Sequence, residues 1–487
     1  MYKLLLIFRY LRRKLAPLFA AVAVTLCTAM VIIVISVMGG FLDLLRNSAR
    51  QLTGDVTISS GSYTGFPYYE ELIAELRELP QVKAATATIQ AYGLINLDKS
   101  TIPVDIQGVK PQELEQIVEY GSTLHWSTED YVEYVVGAGG RELDPLEQAY
   151  FEEAMDLKQA GMDFVPPAHM QGGPGERQRE GIVLGIEVSP RNRRDAQGQY
   201  DIANSAINGR VTLTVLPLTR QGGVLEPAAR PMVVVNEFKS GLYDVDANRA
   251  YVSFDLLQQM LKMQEVPEAD ALTGEETGRV IPKRATEISL RGAEGYSLDE
   301  VEDAVQSATA RFVQAHGDSP MLFVRSWEQV HAQLLNAVAN EKGLVTFLFV
   351  VISIVAVVMV ATTFYMIVLE KTRDIGVLRA IGASRGGIVH LFLGYGLAIG
   401  VVGAGAGLVL AVAVVTHLNE IQALLEQWFG WRMWDPQTYF FDRIPDTVKF
   451  IEAAAIVVGA ILSSVVGALI PALLAGRLNP IEALRYE

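Results

Sequence analysis

Residues 344–369 read LVTFLFVVISIVAVVMVATTFYMIVL, an unbroken run from Leu344 to Leu369 without a single charged side chain. At about 1.5 Å of rise per residue, a helix of that length reaches about 39 Å, longer than the roughly 30 Å hydrocarbon core of a bilayer. A helix that is apolar on every face gains nothing from a water-facing surface, so the stretch reads as a membrane span. Three more runs have the same character, Leu15–Met38, Ile388–Val415 and Ile451–Leu474, and the four are 24 to 28 residues long. The first also fits a cleaved signal peptide, because Arg12, Arg13 and Lys14 precede it. Its apolar stretch exceeds a signal core, and the one Ala-x-Ala match, Ala21-Val-Ala23, falls too early within it, so an anchor is the preferred reading.

Composition agrees with a chain partly in lipid: of 487 residues, 50% are hydrophobic, and mean hydropathy is +0.26. Basic residues flank the membrane unevenly. Lys3, Arg9, Arg12, Arg13 and Lys14 precede the first span, and Lys371, Arg373, Arg379 and Arg385 lie between the second and third. Between the third and fourth, acids outnumber bases. The positive-inside rule then places both termini and the 370–387 link in the cytoplasm and exports the long segment between the first two spans. The net charge of −15 belongs mainly to that exported part and argues against a nucleic-acid partner. The only cysteine, Cys27, lies inside the first span, so the exported part has no disulfide.

The fold class expected is a membrane protein with four transmembrane α-helices and a large α+β extracytoplasmic domain between helices 1 and 2. The divisions are 1–14, a cytoplasmic or interfacial helix; 15–38, the first span; 39–340, the exported domain on helical stalks; 343–369, the second span; 370–387, a cytoplasmic helix; 388–415, the third span; 416–449, a short exported loop; 450–475, the fourth span; and 476–487, a cytoplasmic tail. Polar helical periodicity over Phe41–Leu52 and Ser326–Ala337 supplies the stalks. Within the domain, Asp55–Ser59, Thr86–Leu97, Pro103–Val109, Ile182–Val188, Val211–Val215, Met232–Asn236, Ala250–Phe254 and Glu287–Leu290 read as strands. Tyr69–Leu79, Phe254–Lys262 and Leu298–His316 read as helices, the last capped by Ser297. Residues 122–181, with Gly172-Gly-Pro-Gly175 and an acidic helical stretch near Glu147–Leu157, read as an insertion with long loops.

Several chemistries have no support in the residues. There is no G-x-x-x-x-G-K-[ST] phosphate loop, so the chain is not expected to bind or hydrolyse ATP by itself. His125, His169, His316, His331, His390 and His417 lack metal-ligand spacing, and there is no G-x-S-x-G elbow. No catalytic residue, no metal site and no cofactor bound by this chain are expected.

The cytoplasmic stretch Glu370-Lys-Thr-Arg-Asp-Ile-Gly-Val-Leu-Arg-Ala-Ile-Gly-Ala-Ser384 puts Glu370 and Asp374 one turn apart, with Ile375, Leu378 and Ile381 or Gly382 on another face. Such a helix suits a groove on a soluble partner, or an ordinary connector. The segment resembles the coupling helix of the permease superfamily that includes the macrolide-exporter, FtsX and lipoprotein-releasing LolC/LolE types. Ile35-Ser-Val-Met-Gly-Gly-Phe41, Phe238-Lys-Ser-Gly-Leu-Tyr-Asp-Val-Asp246 with Ala250-Tyr-Val-Ser253, and Pro471-Ala472 with Asn479-Pro-Ile-Glu-Ala-Leu-Arg-Tyr-Glu487 are similar to segments of the lipoprotein-releasing (LolC/LolE-type) permeases. Departures from their pattern are Gly39 in place of Asn, Val245 in place of an aromatic, and Arg-Asp-Ile-Gly within the coupling segment.

The resemblance implies an ABC-transporter permease subunit of the bacterial inner membrane, with ATP and Mg²⁺ held by a separate ATPase chain. It also implies a second permease, identical or homologous, a lipoprotein or other amphiphilic cargo, and an exported carrier protein. Glu370, Lys371, Arg373, Asp374, Ile375, Leu378, Arg379, Ile381, Gly382 and Ser384 would then contact the ATPase. Val34, Val37, Met38, Phe41 and Leu45 recur on one face of the first helix and either meet cargo or face lipid or a neighbouring helix. Gly396, Gly400, Gly403 and Gly407 recur every three to four residues in the third span and predict close helix packing, within the subunit in preference to across subunits. An FtsX-like signalling subunit and a macrolide-exporter (MacB-like) efflux permease are the alternatives.

Overall fold

The structure, a computed structural model, describes residues 15–97, 100–139, 156–167, 170, 179–192, 194, 199–219, 222–269, 276–317, 320–430, 444 and 447–479. The expected N-terminal helix at 1–14, the acidic stretch up to residue 155, the Gly172–Gly175 loop and the tail beyond Asn479 lie outside these residues. The described chain forms two compact units.

The membrane unit is built on the long helices Leu15–Thr53, Ala332–Glu370, Arg385–Thr416 and Phe450–Arg477, called TM1 to TM4 here, each long and apolar enough to cross a bilayer. Their shared core comes from Ala20 and Val24 of TM1, Val360 and Phe364 of TM2, Phe392 and Ile399 of TM3, and Ala468 and Ala472 of TM4. Small residues dominate the TM4 contribution, and large ones the TM2 contribution. TM2 turns most of its apolar surface outward, with Phe347 and Val355 exposed, which only a lipid or protein environment tolerates. Pro471 sits inside TM4, where neighbouring helices can offset its missing N–H.

Both helical extensions expected beyond the membrane have the predicted periodicity, with one difference. TM1 runs unbroken to Thr53, whereas the return segment forms a short helix, Trp327–Val330, and is interrupted at His331 before TM2 begins.

The extracytoplasmic unit is α+β, as expected. Its strands are β1 (Val56–Ser59), β2 (Phe66–Pro67), β3 (Val82–Leu97), β4 (Ser100–Val109), β5 (Glu180–Gly185), β6 (Arg210–Val215), β7 (Ala228–Phe238), β8 (Arg249–Ser253), β9 (Val266–Ala269), β10 (Glu276–Ile281), β11 (Arg284–Ala285), β12 (Glu287–Gly292) and β13 (Phe323–Ser326). The main sheet has the order β13-β1-β12-β3-β4-β8-β5-β7-β6, and β3 also pairs with β6. That second pairing, Gly93↔Val215 to Leu97↔Val211, closes β3, β4, β8, β5, β7 and β6 into a barrel. Gly93 is the residue at which β3, already paired with β4, also begins to pair with β6. A Cβ there would run into Ile106 Cδ1 and lie 2.6 Å from the Thr214 oxygen, so no side chain fits.

The inner core is mainly aliphatic, with Ile58, Leu72, Ile89, Ile106 and Leu213 fully enclosed, and the rings of Phe66 and Phe254 are buried among them. The helices Tyr69–Arg77 and Leu298–Ala315 cover it. The latter starts at a capping box in which the Ser297 hydroxyl accepts from the Glu300 amide while Glu300 reaches back to the Ser297 N–H.

One expected strand ends early, and other strands were not expected. The β5 strand stops at Gly185, since Ile186 to Val188 turn away, with Val188 N–H donating to Gly185. The hairpin β9–β10 and the edge strand β13 have no counterpart in the sequence reading; β13 is only four residues long and gains its conformation by pairing with β1. The 122–181 segment lies partly within the described residues. Its described parts include helices Thr128–Gly139 and Leu157–Asp163, and Trp126 and Leu157 are buried against Ile186 and Val233.

Candidate functional site

The link between TM2 and TM3 is a helix, Thr372–Ala380, set off from TM2 at Lys371. Thr372 makes the break without leaving carbonyls unsatisfied: its hydroxyl donates to the Val368 and Leu369 oxygens at 3.0 and 2.9 Å. The far end is closed by Gly382 at φ +106°, a left-handed conformation that favours glycine. Two residues later the Ser384 hydroxyl accepts from the Gly387 amide and caps TM3.

The helix has two faces. Ile375 and Gly376 are buried, and Ile375 packs in the same apolar cluster as Phe364, Val368 and Phe392. Arg379 is on this inner side too; its Nη1 donates to the Gly476 oxygen at 3.1 Å and the Leu478 oxygen at 2.7 Å, fastening the helix to the end of TM4. The outer face carries Arg373, Asp374, Val377, Leu378 and Ile381, with Ile381 80% exposed. Glu370, Gly382 and Ser384 are exposed as well, and Lys371 pairs with Asp374 at 2.7 Å.

The apolar face expected from Ile375, Leu378 and Ile381 is therefore divided. Positions three apart on a helix lie about 60° apart, and the bundle core claims Ile375 while leaving the other two outward. Val377, which spacing did not single out, completes the exposed apolar edge. Only the packing of Ile375 reveals it.

Each of the four glycines has a specific neighbour. A Cβ on Gly396 would lie 2.6 Å from Ala468 Cβ, and one on Gly400 would lie 3.0 Å from Ser464 Cβ, both on TM4. For Gly403 the nearest atom is Val24 Cβ at 2.9 Å, and for Gly407 the Thr25 oxygen at 2.8 Å, both on TM1. One glycine stripe thus serves two partners in the same chain. The Thr25 hydroxyl adds an inter-helix hydrogen bond to the Gly403 oxygen at 3.1 Å.

On TM1, Val34, Val37, Met38 and Phe41 are half-buried, whereas Leu45 is 2% exposed and faces the protein itself. A different TM1 face, including Val31 and Ile35, lines a cavity of about 450 Å³ with Phe349 and Ser353 of TM2 and Ile456 and Ser463 of TM4. Near the exported ends of these helices, Lys342 pairs with Glu452 at 3.3 Å and Lys449 with Asp43 at 2.7 Å. Among the described residues no group of three His, Cys, Asp or Glu side chains is placed to hold a metal ion.

In the extracytoplasmic unit, the Phe238–Asp246 segment is a closed loop. The buried Asp246 carboxylate accepts from the Ser240 amide and hydroxyl, both at 2.7 Å, and from the Gly241 amide at 3.2 Å. Next to it, Glu237 is wholly enclosed and accepts from Trp126 Nε1 at 2.6 Å, Asn192 Nδ2 at 2.8 Å and the Ala206 amide at 2.9 Å. One carboxyl therefore ties three loops to β7. Burial pushes its pKa up to about 7, against the three donors, which favour the ionised form.

Residues 346–480 match the FtsX-like permease C-terminal family, and residues 18–139 match the MacB-like periplasmic core domain. A four-span chain with that domain between its first two spans, and with a helix exposed between the second and third, is an FtsX/MacB-like ABC-transporter permease: a multi-pass, non-catalytic transmembrane subunit that works with an ATPase partner. Within that class its sequence is similar to the lipoprotein-releasing system transmembrane protein LolC of Xylella fastidiosa (strain 9a5c), 23% identical over 98% of this chain and 97% of the relative. LolC of Neisseria meningitidis serogroup B is 23% identical over 98% of both chains. LolE of Haemophilus influenzae is 20% identical over 96% of this chain and 93% of its own length. The solved periplasmic region of MacB from Actinobacillus actinomycetemcomitans covers 60% of this chain and 98% of its own length at 12% identity, with a TM-score of 0.29, too low to bear on the assignment.

Proposed function

We propose that this permease couples ATP hydrolysis by a separate ATPase subunit to the release of lipoproteins, or of another amphiphilic cargo, from the outer leaflet of a bacterial inner membrane. The observation that supports it most is similarity along nearly the whole chain to LolC and LolE proteins, which includes the extracytoplasmic unit as well as the spans. ATP and Mg²⁺ stay on the partner. The exposed edge of Arg373, Asp374, Val377, Leu378 and Ile381 presents charge beside apolar surface and suits a groove on a soluble subunit. Movement of this helix would be passed to TM2 through the short break at Lys371, and to TM4 through Arg379. Cargo is held outside the membrane core by a second permease, identical or homologous, together with Val34, Val37, Met38 and Phe41; Leu45, being buried, is left out of that surface. A carrier protein outside the membrane receives it.

Affinity purification of the tagged chain from native membranes, with mass spectrometry of what remains bound, tests this reading. An ATPase subunit should copurify with the unmodified chain and be lost with Asp374→Lys and Leu378→Asp, and lipoproteins should co-elute. Recovery of the ATPase without lipoproteins, combined with unchanged lipoprotein release when the gene is depleted, would overturn the cargo. Absence of any ATPase after gentle crosslinking would remove the coupling role.

A further inference from the structure

TM3 ends at Thr416, and after one residue, His417, the chain enters a second helix, Leu418–Phe429, on the extracytoplasmic side. None of its residues is buried. Successive residues turn by about 100°, which places Leu418, Ile421, Leu424, Leu425, Trp428 and Phe429 on one continuous arc. Asn419, Glu420, Gln422, Ala423, Glu426 and Gln427 occupy the other, and the two sets do not mix.

The polar side is tied to the chain at Asn419, while Glu420, Ala423 and Gln427 are exposed. Asn419 Nδ2 donates to the Ile444 oxygen and its Oδ1 accepts from the Ile444 amide, both at 3.1 Å, and Ile444 is buried. The apolar side is open at Leu424, Trp428 and Phe429, which are 54%, 76% and 72% exposed, while Leu418, Ile421 and Leu425 are half-buried. The helix also begins one residue from where TM3 ends, and TM4 starts nearby in sequence with Phe450 and Ile451 almost fully exposed, as suits a lipid boundary.

From this juxtaposition we propose that Leu418–Phe429 is an interfacial anchor that lies in the outer leaflet with its Leu424–Trp428–Phe429 side among the lipids, and fixes the depth at which TM3 leaves the bilayer. Its occupant is the zwitterionic phospholipid surface. The helix has no Lys or Arg, and its Glu420 and Glu426 would repel anionic headgroups, so the attraction comes from apolar burial and not from charge. Trp428 is the side chain suited to the headgroup boundary, with a broad apolar ring and one N–H donor.

Site-directed spin labels on the full chain in nanodiscs of zwitterionic phospholipid test it, with Cys27→Ser removing the only native thiol. Labels at Leu424→Cys and Trp428→Cys should meet dissolved oxygen several-fold more than a water-soluble nickel complex. Labels at Ala423→Cys and Gln427→Cys should show the reverse, and neither pattern should change in high salt or strengthen with anionic lipid. Nickel access at all four positions, meaning a helix standing in water, overturns the proposal. So does shielding of 424 and 428 from both reagents, which would mean that a second permease or another protein covers the face. If the thiol-free chain misfolds, the native chain is read instead in brominated zwitterionic lipid. The quenched part of its tryptophan emission should fall measurably in Trp428→Phe, and an unchanged quenched part overturns the anchor.

Discussion

Gly396 and Ala468 approach so closely that a Cβ on the glycine would stand 2.6 Å from that of the alanine, which fixes TM3 against TM4 backbone to backbone. In lipid no hydrophobic force draws helices together, so dispersion across such a contact is what holds them. Gly396→Leu should therefore separate the pair, at a cost of about 1–3 kcal/mol from overpacking. Gly405→Ala should cost little, because nothing lies within 4 Å of its Cβ position. Thermal unfolding in mild detergent compares the two, and equal midpoints would refute the tight contact.

The divided helix Thr372–Ala380 makes a sharper forecast. Val377→Asp and Ile381→Asp alter only exposed positions, so the chain should fold and reach the membrane at normal levels while ATPase recovery falls at least several-fold. Ile375→Asp buries a carboxylate in the bundle core and should instead lower the amount of folded permease. Immunoblots of membrane fractions beside the pull-down separate the two effects. If Ile375→Asp accumulates normally and loses only the ATPase, the assignment of faces is wrong.

Arg379 ties that helix to the TM4 end through two main-chain oxygens. Its loss in Arg379→Ala should cost on the order of 1–2 kcal/mol. The consequence expected in transport is partial uncoupling, with ATP still hydrolysed by the assembled complex and cargo release reduced. Lysine should restore only part of it, because its side chain is shorter and sets the ammonium short of the Nη1 position from which both oxygens are reached. Parallel ATPase and release assays on reconstituted complex check this, and an equal fall in both rates would count against it.

Glu237 gives a pH dependence whose sign follows from its raised pKa of about 7 against an ordinary 4.5. Between those values the folded chain holds a proton that the unfolded chain has released. Acidification through that window therefore stabilises the fold, and that stability is lost as pH rises from 4.5 through about 7, by an amount on the order of 3 kcal/mol for this group. Glu237→Gln should flatten that part of the pH profile and lower stability near pH 6, where the carboxyl is largely protonated. An amide has one oxygen for three donors, and its NH₂ must face Trp126 Nε1 or the Asn192 and Ala206 donors. Hydrogen exchange of β7 amides from pH 6 to 8 measures the difference, and parallel profiles for the two proteins would exclude the role.

The spans, the α+β character of the segment between the first two, and the likeness to a permease family were legible in the sequence, because each depends on local pattern. An uncharged run as long as Leu344–Leu369 has one stable environment, alternating strands carry their period with them, and motif residues such as Asp246 sit at fixed spacing. The glycine spacing on TM3 announced close packing, but which helices were met could not be read from spacing. Gly396 and Gly400 meet TM4, while Gly403 and Gly407 meet TM1, because the third helix passes between two neighbours.

Other features were decided only in three dimensions. Strand β13 exists because β1 offers it an edge, and Trp126 belongs to a folded part of the domain because Glu237, far along the chain, receives its N–H. Ile375 and Ile381 are chemically alike and close in sequence, yet one is core and the other surface. Sequence by itself determined which segments are apolar and how often; packing determined what each apolar residue touches, because burial depends on neighbours brought from elsewhere in the chain.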